Sequence, residues 1–72
     1  MTLMWEVRAA PGRIDELVAH VRAHVHASAE VYRSDDADPR VVVIDPTGDG
    51  PADVPVELLG RPAHEWHFTR VS

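Results

Sequence analysis

The amino-acid sequence predicts an α+β domain in which one amphipathic helix packs on a four-stranded antiparallel sheet. Three observations carry this reading. Apolar and polar residues alternate near both ends of the chain, the period of a half-covered strand. From residue 13 to about 27, apolar residues instead recur every three or four positions, the period of a helix. A β-branched run, "RVVVID", lies mid-chain, as expected of a central strand covered on both faces.

The elements follow in order. "LMWEVRA" (3–9) sets Leu3, Trp5 and Val7 against Met4, Glu6 and Arg8. "APG" breaks the strand, and Gly12 leads into the helix. Ile14, Leu17, Val18, Val21 and Val25 make its apolar face. Asp15 and Glu16 fall in the first turn, where the helix dipole favours carboxylates. "AEVYRS" (29–34) and "RVVVID" (40–45) form a hairpin around "DDADP" (35–39), an acidic turn closed by proline.

Residues 46–63 hold Pro46, Pro51, Pro55 and Pro62 with three of the four glycines, too many breakers for a full helix. Pro55 can still open a short turn through "VELL" that Gly60 ends. "HEWHFTRV" (64–71) alternates Trp66 and Phe68 against Glu65, His67 and Thr69 and supplies the last strand. The order β-α-β-β-(short turn)-β is a ferredoxin-like plan with a shortened second helix, and residues 1–72 make one such domain.

A chain of 72 residues buries a small core and is marginal alone. With no cysteine, disulfides, thiolate catalysis and cysteine-containing zinc sites are excluded. One helix also leaves part of the sheet uncovered, so a homodimer is expected. The net charge is −5 and the seven basic residues, all Arg, are scattered, which excludes nucleic acid as a partner. No apolar stretch is long enough for a bilayer crossing and no leader-like segment opens the chain, so a cytoplasmic protein with no membrane partner is expected. Lys, Asn and Gln are absent while Ala, Arg, Val and Asp abound, a bias that suggests a GC-rich bacterial genome.

The first strand, the "PG" and the helix "RIDELVAHVRA" resemble the opening of the antibiotic biosynthesis monooxygenase (ABM) family, within the dimeric α/β-barrel superfamily. The likeness covers the first half and, more loosely, the last strand. It implies ferredoxin-like protomers paired through their sheets, and a cofactor-independent monooxygenase acting on a phenolic or polyketide-like substrate. Trp66 is the one position it sets against the family's catalytic residues. Active members rely on an Asn, and this chain has none. A small ligand-binding homodimer without catalysis is therefore the first reading, and the monooxygenase the alternative.

Two constellations are candidates for chemistry. Glu16, His20 and His24 sit one helical turn apart in "E-x-x-x-H-x-x-x-H", so their side chains can converge on a transition metal. The structural reading makes both histidines boundary residues, His24 beside Leu17 and His20 further toward solvent. His26 points away from both. In the last strand His64 and His67 face opposite sides. If Trp66 faces the helix, His67 looks across the open sheet face, which Glu6 and Arg8 share and Tyr32 adjoins. Glu6, Arg8, Tyr32, Trp66 and His67 are thus candidates to bind a small anionic or phenolic molecule, with His67 able to move a proton near neutral pH. The structural alternative is cross-strand pairing or dimer contact.

Trp5, Trp66 and Phe68 either fill the core or line a pocket between sheet and helix. The aspartates of "DDADP" and "DPTGDGPAD" match no calcium loop and read as solvated turns. No nucleophile elbow, phosphate-cradling glycine loop or dinucleotide fingerprint occurs, and no cofactor is implied.

Overall fold

The computed structural model describes residues 1–72. The chain forms β1 (Thr2–Arg8), α1 (Ile14–His24), β2 (Glu30–Arg33), β3 (Arg40–Asp45), a 3-10 turn (Val56–Leu58) and β4 (His64–Phe68). The strands make one antiparallel sheet in the order β2-β3-β1-β4. The helix lies on one face of it, and no helix is long and apolar enough to cross a membrane.

Alternation in β1 and β3 builds the core. Trp5 pairs with Val43 and Val7 with Val41, and all four are buried. Leu17 and Val21 of α1 close over them, and Leu58 of the 3-10 turn fills the remaining gap. Pro11 and Gly12 form the turn into the helix, closed by the Arg13 N–H donating to the Ala10 carbonyl at 2.9 Å. Gly12 has φ +73°, the left-handed conformation that the third position of such a turn requires.

The helix stops at His24, three residues short of the expected end, with Val25 already extended. His26 explains the early stop. Its Nδ1 accepts from the Ser28 backbone N–H at 3.1 Å and lies 2.8 Å from the Ser28 hydroxyl. Its carbonyl accepts from the Ala29 N–H. This local turn replaces further helical bonds and turns the chain toward β2.

Residues 46–63 are tied down along their length. Asp45 is fully buried and accepts from the Thr47 N–H, the Thr47 hydroxyl and the Gly50 N–H at 2.9, 2.7 and 2.8 Å. The expected solvated turn therefore begins on a core carboxylate. Burial alone raises the Asp45 pKa, but these three bonds and the neighbouring His26 outweigh it and hold the carboxyl below its ordinary value. Further on, Leu59 bridges Ala9, and the Ala10 and Gly60 N–H groups donate to the Leu58 and Arg8 carbonyls. The loop thereby stands where a second helix was foreseen to shrink.

The register of β4 corrects one expectation. Met4 pairs with Trp66, Thr2 with Phe68 and Glu6 with His64. Leu3 and Trp5, which face the helix, oppose His67 and Glu65. Because paired residues share a face, Trp66 and Phe68 lie away from the helix and His67 lies on the helix side. The reversal has a physical reason. β4 is an edge strand beyond the reach of the single helix, exposed at every position, so no core demand draws its aromatic side inward.

Candidate functional site

The face of the sheet turned away from α1 carries most of the chain's unusual side chains. Its cross-strand rows follow from the register. Trp66, Met4, Ile44 and Glu30 form one row, and His64, Glu6, Val42 and Tyr32 form the next. Phe68 and Thr2 lie at one end, Arg8 and Arg40 at the other. The face thus divides into an apolar half around Trp66 and Phe68 and a charged half around Glu6.

Glu6 anchors the charged half. Its side chain is only 14% exposed, and its oxygens lie 3.2 Å from Arg61 Nη2, 3.4 Å from Arg40 Nη1 and 3.8 Å from His64 Nδ1. Asp38, from the β2–β3 turn, lies 3.2 Å from Arg40 Nη2 and 3.0 Å from Arg8 Nε. That last contact is electrostatic rather than a directed bond, since Arg8 Nε, like Arg61 Nε, is buried without a hydrogen-bond acceptor. Three guanidiniums therefore share two carboxylates, leaving one positive charge in excess on a molecule of net charge −5. Tyr32, at the opposite edge, donates its hydroxyl to Glu30 Oε2 at 3.1 Å. This bond to a carboxylate, and the negative charge itself, raise the phenol pKa.

Of the five ligand candidates, Glu6, Arg8, Tyr32 and Trp66 share this face and His67 does not. His64 takes the place expected of His67, set edge-on to Trp66 with ring centroids 5.7 Å apart. The sequence reading also missed Arg40, Asp38 and Arg61. Arg40 was findable, because it opens a strand antiparallel to β1 and pairs with Arg8. Arg61 sits in the proline-rich loop, where no periodicity assigns a face.

The helix ladder resolves differently from its spacing. Arg13 donates two bonds of 2.8 Å to the Glu16 carboxylate, which holds that carboxyl below its ordinary pKa. The His20 and His24 rings stack in parallel, 4.0 Å between centroids, instead of converging on a point. His20 Nε2 bonds the Ala52 carbonyl at 3.1 Å and His24 Nδ1 bonds the His20 carbonyl at 2.8 Å. A carbonyl only accepts, so both ring nitrogens carry protons. As placed, Glu16, His20 and His24 form no ligand set, and no group of three His, Asp or Glu side chains gathers elsewhere. The bond to Ala52 also draws His20 half inside while His24 stays exposed, the reverse of the expected order.

Between sheet and helix, Trp5 and Leu58 are packed into the core, so the pocket expected to be lined by Trp5, Trp66 and Phe68 does not form. Trp66 and Phe68 take no part there. Compared with known proteins, the chain matches no family model, no curated protein and no solved structure.

Proposed function

We propose that the chain is a small homodimeric binding protein of the ferredoxin-like, ABM-like kind, its subunits paired through the open faces of their sheets. The observation that carries this reading is the apolar half of that face. Trp66 and Phe68 are 45% and 49% exposed beside half-buried Met4 and Ile44. Aromatic side chains gathered on an uncovered sheet mark an interaction surface. A domain of this size also gains the core it lacks by pairing.

The ferredoxin-like assignment draws support from the sheet order, with β3 between β1 and β2, and β4 on the far side of β1. The charged half then serves as the rim of the interface, where opposed charges fix register rather than supply most of the affinity. Binding is favoured over oxygenase chemistry for two reasons. No aromatic pocket forms at Trp5, which is buried in the core with Leu58, and Glu6, Arg8 and Tyr32 already have protein partners.

Fluorescence quenching tests the pairing, because Trp5 is buried and Trp66 is exposed in one subunit. Pairing shields Trp66, so acrylamide quenching falls as protein concentration rises. Quenching of half the emission at every concentration would count against it.

A further inference from the structure

On the helix side of the sheet a cleft of about 450 Å3 opens between the C-terminal half of α1 and β2. Its volume falls within the range of small-molecule sites. Val18, Val25, Ala29 and Val31 form an apolar floor, each only partly covered by the core. Arg22, Arg33 and His26 stand around it, all exposed.

The charge of this cleft runs against that of the molecule. The chain carries 12 acidic residues against seven basic ones, yet no Asp or Glu lines the cleft and two arginines do. Arg33 is committed to Asp15 and Asp35 at 2.8 and 2.6 Å, and His26 to Ser28. Arg22 makes neither an ion pair nor a side-chain hydrogen bond, so all its donors are free. An exposed guanidinium beside an apolar floor suits a planar carboxylate attached to an apolar body.

We infer that this cleft binds a small amphipathic carboxylate, its acid group on Arg22 and its hydrocarbon on Val18, Val25 and Val31. The inference rests on the binding reading above but not on subunit pairing: Arg22, Val18 and Val25 belong to α1 and its end, on the far side of the sheet from Trp66, and of the cleft's lining only Tyr32 also belongs to the open face. Octanoate is the probe, followed by NMR on the isotope-labelled full chain, with acetate and octanol as controls. Octanoate is expected to shift the amides of residues 18–33 in a saturable way, while acetate lacks the apolar body and octanol the charge.

Arg22→Glu, at an exposed helix position, should weaken octanoate by about tenfold or more, as loss of a charge-assisted hydrogen bond does. Ala27→Trp, which fills the mouth of the cleft from an exposed loop position, should abolish it. Shifts confined to the Trp66 face, equal responses to octanoate and octanol, or octanoate binding unchanged in both variants would each overturn the inference. A wild-type chain that sediments as a dimer but does not bind octanoate overturns the inference alone, whereas a monomer that binds it overturns only the pairing.

Discussion

Met4 stands directly opposite Trp66 on the neighbouring antiparallel strand, while Leu3, one residue earlier, is buried on the other face of the sheet, against the loop at Gly50. Adjacent residues of β1 thus belong to different environments, and truncating them should have different costs. Leu3→Ala removes a core side chain and should destabilise by about 2–5 kcal/mol, whereas Met4→Ala should cost roughly 1 kcal/mol or less in an isolated subunit. Urea unfolding of both variants measures the contrast, and similar losses would contradict the register.

Asp45 holds the start of the long loop through three hydrogen bonds. Asp45→Ala leaves the Thr47 and Gly50 N–H groups without that acceptor and should cost about 2–4 kcal/mol. The direction of its pKa shift fixes the pH dependence. Its folded pKa is lowered, so its contribution is complete above the unfolded value of about 3.9 and disappears as pH falls through the lower folded one. Asp45→Asn should therefore flatten the acid side of the stability profile, as read by thermal unfolding against pH.

Gly50 packs where a side chain cannot. Its φ is +69°, and a Cβ there would meet Leu3 Cδ2 at 2.5 Å. Gly50→Ala combines backbone strain with overpacking and should cost about 2–4 kcal/mol. Gly12→Ala has the same sign of φ but nothing within 4 Å, so its cost should be about 1–2 kcal/mol. Denaturant midpoints of the pair separate strain from contact.

Tyr32 is the chain's single tyrosine, so its ionisation can be followed directly by ultraviolet absorbance. The hydroxyl bond to Glu30, and that carboxylate's charge, raise its pKa in the folded state. The stabilisation from this bond is present below the unfolded value of about 10 and is lost as pH rises through the folded one. Glu30→Gln should move the titration midpoint down toward that ordinary value, and an unchanged midpoint would reject the bond.

Much of the fold was legible because it depends on period. β3 runs over the expected residues 40–45, and the short turn forms at Val56–Leu58 within the expected "VELL". The helix end was not legible, because it depends on His26 folding back on Ser28 rather than on apolar spacing. Asp45 was misread for a similar reason: an aspartate before Pro46 looks solvated until its hydrogen-bond partners Thr47 and Gly50 are seen to enclose it. The largest error concerned β4. Alternation showed that Trp66 and Phe68 share a side, but only the pairing with β1 says which. The site inherited that ambiguity, with His64 taking the place reserved for His67. Arg61 joined Glu6 from a loop that offers no pattern to read.

Sedimentation equilibrium of the wild-type chain and of Trp66→Glu tests the central claim most directly. Trp66 lies in the exposed apolar half of the sheet face and outside the core cluster, so the substitution should spare the subunit fold. The wild type should sediment with twice the mass of the 8.0 kDa chain, and Trp66→Glu should sediment as a monomer with its circular dichroism preserved. A wild-type monomer at micromolar concentration, or a Trp66→Glu dimer as tight as the wild type, would contradict pairing through the open sheet face.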